Sequence, residues 1–207
     1  MKNFLILRHG PIAEEYRRVF YGQMDVPLSA EGERLSLEVV KELREIPLQG
    51  LFSSPLRRAL YPAEVLSKER EVPLEIREEL KEINYGAWAG RPREEVYREP
   101  LYWERLKRDF LSPPGGESLK DLRNRAIRFW EGLKTLGKGN YAIFTHGGFI
   151  RALLCELLNL ESSLFFSFEV YHLRILFITL FEDEVFVIKG VNLKAQEVSD
   201  LLKASYW

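Results

Sequence analysis

Apolar and polar positions along this chain keep two alternating rhythms. Asn3 to Leu7 is a short apolar run closed by Arg8-His9-Gly10, the pattern of a buried strand that opens into a loop. Leu35, Val39 and Leu43 then recur at spacing four, which predicts a helix from about Glu31 with Ser29 as its N-cap. Leu51 and Phe52 read as a second buried strand running into Ser53-Ser54-Pro55. A helix is expected from about Leu56 to Lys68, with Pro62 near its start as a source of a kink. Val72, Leu74 and Ile76 alternate as a strand does. Ser118 with Asp121 has the form of a capping box and opens a helix to about Leu136. Tyr141 to Thr145 is a further apolar strand, ending at His146-Gly147-Gly148 before a helix from Phe149 to Leu158. Leu173 to Phe181 and Val185 to Ile188 form a hairpin pattern around Glu182-Asp183-Glu184.

Strands that alternate with helices imply an α/β domain, a mostly parallel central sheet with helices on both faces. Between Gly90 and Leu111 the rhythm breaks into a highly charged stretch carrying Tyr97, Tyr102, Trp103 and Phe110, followed by the turn Pro113-Pro114-Gly115-Gly116. It reads as a small helical cap inserted at about 90–114 into a single domain over 1–207.

Composition narrows the function classes. Thirty Lys and Arg against thirty-one Asp and Glu give a net charge of -1, which argues against a dedicated nucleic-acid binder. One cysteine excludes a disulfide framework, and three scattered histidines exclude a Cys/His zinc cluster, so no metal is expected. The apolar run at the start reaches Arg8 too soon for a signal peptide, and no run is long enough to span a bilayer. The expectation is a cytoplasmic protein with no membrane partner. A high charged share with few Gln, Asn, Met and Cys fits a thermophilic source or a mesophile with an ordinary charged surface.

In open α/β sheets, sites form where strands end. His9 lies at one such end, between a guanidinium suited to phosphate oxygens and a glycine that leaves backbone amides free. His146 repeats the arrangement, with two glycines leading into a helix N-terminus that attracts anions. One strand-end histidine of this kind is commonly a local hydrogen-bonding device; two in a chain with three histidines argue for a shared site. Arg57 and Arg58 stand in the first turn of a helix, where cations are unfavourable unless an anion offsets them. Glu82 precedes Gly86, Trp88 and Gly90, which mark a constrained loop rather than a solvated helix face.

In order along the chain stand Leu7-Arg8-His9-Gly10, Gly22 to Leu28 with Gly32, Ser53 to Ala59, Glu82 to Gly90, Gly115-Gly116-Glu117-Ser118, and Thr145-His146-Gly147-Gly148 with Arg151. Together they resemble the motifs of the histidine phosphatase superfamily, also called phosphoglycerate mutase-like, over nearly the whole chain. The resemblance implies a three-layer α/β sandwich. It implies His9 as the nucleophile that takes the phosphoryl group, with Arg8, Arg58 and His146 as the phosphate clamp. Arg58 matches the family arginine because it precedes Ala59. Glu82 matches the proton donor to the leaving oxygen. Tyr21, Gly22 and Gly147 are further expected substrate contacts.

Phosphoryl transfer spreads charge over three equatorial oxygens, and two arginines with a second histidine supply the donors it needs without metal or cofactor. An imidazole attacks through an unprotonated nitrogen, which nearby arginines help to maintain. An alkoxide leaves poorly, so a carboxylic acid must protonate it, and Glu82 would carry that proton when a dianionic phosphate binds.

Several positions depart from the family pattern. Pro11 and Ile12 follow the first motif, Glu15 stands where the family carries a phosphate-binding Asn, and Glu169, Tyr171 and His172 replace a C-terminal Asn and Ser. His172 reads as structural. The Tyr21-Gly22-Gln23 run and the Pro-Gly-Gly-Glu-Ser turn resemble the α-ribazole phosphatase and broad-specificity branch. With a compact cap, the reading is a metal-independent phosphomonoesterase acting through a phosphohistidine on a small phosphorylated metabolite, α-ribazole phosphate being one candidate. The alternatives are phosphoglycerate mutase-type transfer and, further off, a non-catalytic phospho-ligand-binding regulator. Arg91, Arg93 and Arg98 read either as a grip on a second acidic group or as a solvated helix with local ion pairs. The C-terminal hairpin, apolar on both faces, reads either as a covered strand or as the edge of a homodimer.

Overall fold

The computed structural model describes residues 1–204. Six strands form one sheet: β1 (Lys2–Arg8), β2 (Leu48–Ser53), β3 (Leu74–Ile76), β4 (Gly139–Thr145), β5 (Ile175–Leu180) and β6 (Phe186–Leu193), in the spatial order β3-β2-β4-β1-β5-β6. The first four are parallel; β5 runs antiparallel to β1, and β6 runs antiparallel to β5.

Side chains alternate across a strand, so each strand feeds two layers. Phe4, Ile6, Tyr141, Ile143, Leu176 and Ile178 face α5 (Leu119–Leu133) and α6 (Gly147–Leu157). Leu5, Leu7, Ala142, Phe144, Ile175 and Phe177 face α1 (Ala30–Leu43), α2 (Arg57–Arg70) and α7 (Ala195–Lys203). Strands β1 and β4 are thus covered on both sides, as their unbroken apolar runs require. The cap holds two short helices, α3 (Arg93–Val96) and α4 (Pro100–Lys107). They pack with Phe20 and Trp88 in a small core of their own. No helix among the described residues is long and apolar enough to cross a membrane.

The predicted helix starts rest on caps that are present. Ser29 accepts the amide of Gly32, and Ser118 with Asp121 completes a reciprocal capping box. Differences fall at element ends. Helix α6 begins at Gly147, two residues before the first apolar position, so His146 is its N-cap residue. Strand β5 starts at Ile175 because Leu173 turns into left-handed backbone at φ 56°. Strand β6 runs five residues past Ile188, to Leu193, and α7, which the sequence pattern did not single out, closes the second layer. In the hairpin, β5 is buried along its length and β6 is a half-exposed edge.

The order β2-β4-β1 positions the site. The three strands are parallel neighbours, and parallel neighbours lie about 4.8 Å apart. Their carboxyl ends are held in step: His9 N donates to Thr145 O at 3.0 Å and Ser54 N to Phe144 O at 3.0 Å. The segments after β1, β2 and β4 therefore meet at one edge.

Candidate active site

His9 is 2% exposed at the end of β1. Its Nδ1 lies 2.7 Å from Gly10 O. A carbonyl only accepts, so Nδ1 carries the proton and Nε2 keeps its lone pair. That Nε2 is buried with no partner. Burial, then the charges of Arg58, His146 and Arg8, hold the ring's pKa well below the usual histidine value, so the imidazole is neutral at pH 7.

His146 stands with its ring centroid 5.2 Å from that of His9. Its Nε2 is 2.8 Å from Ser54 Oγ. Leu56 N donates to that same oxygen at 3.3 Å, which leaves the serine hydrogen free to point at the imidazole. Nε2 then accepts and Nδ1–H is the free donor; Nδ1 is buried and unpartnered. Burial, then Arg58, again pulls the pKa well below the usual value.

The two arginines after β2 have separate fates. Arg57 is exposed and pairs with Asp25 through both its side chain and its backbone amide. Arg58 is fully buried. Its Nη1 and Nη2 donate to Met24 O at 2.8 Å and Gly22 O at 2.6 Å, and its guanidinium lies 5.1 Å from the Tyr21 ring centroid. Tyr21 and Gly22 thus sit beside the site by holding Arg58 as well as by lining the cavity. Gly22, at φ 41°, could not carry a side chain: a β-carbon would meet Ile83 O at 2.6 Å. Arg8 reaches from β1 to Val170 O at 2.5 Å through Nη1.

Glu82 enters from the loop after β3. Its Oε1 accepts Ile83 N at 2.9 Å and its Oε2 accepts Gly148 N at 3.1 Å, so the carboxyl is aimed by the first turn of α6. Arg125 of α5 fixes the loop from behind. It donates to the carbonyls of Glu79, Lys81 and Glu82 and forms a bidentate pair with Glu117 at 2.9 and 2.8 Å.

Buried polar atoms normally have partners. Among the described residues, six buried side-chain atoms have none: Arg8 Nε, His9 Nε2, Arg58 Nε, His146 Nδ1, and Nε and Nη1 of Arg105. Four of the six belong to the strand-end cluster, and each except His9 Nε2 is a donor. Such a set is complementary to a tetrahedral oxyanion with one electrophilic face turned to His9. A cavity of 290 Å³ adjoins the cluster, lined by Arg8, Tyr21, Gly22, Glu82, Gly147 and Gly148. Its aromatic lining is Phe20, Tyr85, Tyr97, Tyr102 and Phe166. Arg93 and Arg151 also line it. Arg91 instead pairs with Glu99. Glu15 is exposed in a turn and contributes nothing to the cluster. No group of three or more His, Cys, Asp or Glu suited to a metal is present among the described residues.

Residues 4–194 match the family model of the histidine phosphatase superfamily, branch 1. The chain belongs to that superfamily. It is 29% identical over 176 residues to phosphoserine phosphatase 1 of Hydrogenobacter thermophilus, covering 81% of this chain and 82% of that one. It is 26% identical over 206 residues to the 2,3-bisphosphoglycerate-dependent phosphoglycerate mutase of Chlamydia trachomatis serovar L2, covering 82% and 90%. Its fold is similar to the solved α-ribazole phosphatase of Shigella flexneri, with a TM-score of 0.81 at 21% identity over 93% of this chain and 96% of that one. As a histidine phosphatase, the chain is an enzyme, a phosphoric monoester hydrolase by family.

The residues singled out in the sequence, His9, Arg8, Arg58, His146, Glu82, Tyr21, Gly22 and Gly147, converge at this edge. Ser54, Arg125 and His172 were not assigned a part in it. Ser54 stood inside the motif from Ser53 to Ala59, which was its signal. Nothing local marks Arg125. His172 lies with its Nδ1 2.8 Å from His9 O, a contact 163 positions apart in sequence.

Proposed function

We propose that this enzyme is a metal-independent phosphomonoesterase that passes the phosphoryl group through His9 of the chain itself. The observation that carries this reading is a set of orphaned buried atoms in residues grouped about a neutral imidazole: Arg8 Nε, Arg58 Nε and His146 Nδ1 are left without partners, as is Nε2 of His9. In the first step Nε2 attacks phosphorus and the bond from phosphorus to the alcohol oxygen breaks. The three donors meet the equatorial oxygens as their charge changes. The Glu82 carboxyl gives its proton to the departing oxygen. In the second step water attacks the phosphohistidine, Glu82 takes the water's proton, and phosphate and neutral His9 are released. The positive charge comes from two guanidiniums and from a helix N-terminus, which is the basis for including metal independence.

Hydrolysis is preferred to mutase transfer because the cap is short and the mouth is open. Tyr97 and Phe166, which line the cavity, are 40% and 46% exposed, which supports access of water to the phosphorylated enzyme. α-Ribazole phosphate is carried as one substrate on the resemblance of Tyr21-Gly22-Gln23 and of Pro114 to Ser118. Phosphoserine and phosphoglycerate join it on the names of the relatives. The test is turnover of p-nitrophenyl phosphate with and without chelator, followed by this panel. Equal rates with chelator and phosphate release from at least one metabolite are expected. Faster isomerisation of 3-phosphoglycerate than phosphate release would overturn the choice of hydrolysis.

A further inference from the structure

The segment 168–173, which leads into β5, is tied to α6 at one end and to Arg8 and the nucleophile at the other. Arg151 Nε donates to Phe168 O at 2.8 Å, and Arg8 Nη1 donates to Val170 O at 2.5 Å. The side chain of Asn192 brackets the middle, accepting Tyr171 N at 2.8 Å and donating to Glu169 O at 2.7 Å. Leu173 N donates to Arg8 O at 3.0 Å. His172 Nδ1 lies 2.8 Å from His9 O, so it donates there. Two residues in this assembly hold left-handed backbone without being glycine: Leu173 at φ 56° and Asn192 at φ 62°. A bulky residue rarely adopts that state, and it persists only where its surroundings hold it. At Leu173 the bend lets consecutive residues reach back to consecutive carbonyls, Leu173 to Arg8 and His172 to His9.

The consequence for His9 is geometric. Its ring is oriented by Nδ1–H donating to Gly10 O. That carbonyl hangs on the peptide unit that follows the one carrying His9 O. Holding His9 O therefore pins the peptide unit that precedes this carbonyl and narrows the directions in which Gly10 O, and with it Nε2, is presented. The ring of His9 is flanked by two imidazoles, with centroids 5.2 Å from His146 and 5.2 Å from His172. Burial, then the charge of Arg8, lowers the pKa of His172 to about 4, so at pH 7 it is a neutral donor that adds no charge next to His9.

We infer that His172, set by the strained bend at Leu173, is a positioning residue for the nucleophile: it clamps the His9 carbonyl and so aims Nε2 at phosphorus. The inference rests on the reading of His9 as the group that takes the phosphoryl. It assigns a part in the chemistry to a segment in which Glu169, Tyr171 and His172 differ from the family pattern.

The test compares His172→Asn with His172→Leu. They are close in size, but the Asn amide places a donor near the position of Nδ1 and Leu does not. Rapid-quench formation of the phosphoenzyme from p-nitrophenyl phosphate is read in each. Losing this positioning is expected to slow phosphoenzyme formation about 10- to 100-fold in the Leu variant. Its KM should stay close to that of the wild type. The Asn variant should recover most of the rate. Should the Leu variant not fold, His172→Ala, which removes the donor without adding apolar bulk, takes its place. A Leu or Ala variant as fast as wild type overturns the inference, and so does an Asn variant as slow as Leu. A wild type that forms no phosphohistidine at all is a separate failure, of the nucleophile reading rather than of the clamp.

Discussion

The backbone amide of Gly148 donates to Glu82 Oε2 at 3.1 Å, and a β-carbon on Gly148 would lie 2.1 Å from Oε1. The acid is therefore aimed by a helix terminus that must be bare at this position. Gly148→Ala should push the carboxyl away from the leaving oxygen. A displacement of this size is expected to cost about 100-fold in kcat on an alkyl phosphate such as phosphoserine. The loss on p-nitrophenyl phosphate should be smaller, because a phenolate leaves without help. Glu82→Gln should show the same split. Equal losses on both substrates, measured side by side, would remove Glu82 from the acid role.

Ser54 sets the tautomer of His146. Ser54→Ala leaves Nε2 without its 2.8 Å partner and lets the proton move from Nδ1. Losing one such buried hydrogen bond is worth about 1–1.5 kcal/mol, which is roughly tenfold. Inhibition by inorganic phosphate reads this most simply: its inhibition constant should rise by about that factor. An unchanged constant would mean that His146 does not present Nδ1–H to the phosphate.

Arg125 holds the Glu82 loop, and Glu117 is its carboxylate partner, with side chains 12% and 14% exposed. Removing one member of a half-buried pair leaves the other charge poorly compensated, at about 1–3 kcal/mol. Arg125→Ala should therefore lower the thermal midpoint sharply. Arg125→Ala with Glu117→Gln should recover part of the loss. Activity should fall in the single variant even where it is folded, because three carbonyls of the loop lose their donor.

The buried histidines make stability depend on pH in one direction. In the unfolded chain they titrate near 6.5, whereas in the fold His9 and His146 lie well below that and His172 lies at about 4. As pH falls below about 6.5 the unfolded chain takes up protons that the folded chain refuses, so stability is full above that pH and is lost on the way down. The thermal midpoint should decline between pH 7 and 5.5, and less steeply in His172→Asn, which has one such group fewer. NMR of the imidazole signals at pH 6 should show His9 and His146 neutral. A charged His9 at that pH would contradict both the geometry and the mechanism.

What could be read in the chain and what could not divide along contact range. The strand ends at His9 and His146, the helix starts at Ser29 and Ser118, and the choice of Arg58 over Arg57 rest on local pattern and on motif order. The structure then brings these residues to one edge because β2, β4 and β1 are neighbours. His172 is different. Its meaning lies in a hydrogen bond to a residue 163 positions away and in a backbone turn at Leu173, neither of which a periodicity records. Arg125 looks like one more charged position on a helix, and only the fold shows that its guanidinium gathers three loop carbonyls. The length of β6 escaped because mixed polarity on a half-exposed edge breaks strict alternation, and α7 escaped because a nine-residue helix shows its core face in few positions, Ala195, Val198 and Leu202.

The whole mechanism turns on covalent phosphorylation of His9 Nε2. It is tested most directly by quenching the enzyme with radiolabelled phosphomonoester in alkali and locating the label. An acid-labile, alkali-stable adduct on His9 is expected, accumulating and decaying at rates consistent with turnover and absent from His9→Ala. An adduct that survives in His9→Ala, or turnover with no phosphohistidine at any time, would contradict it.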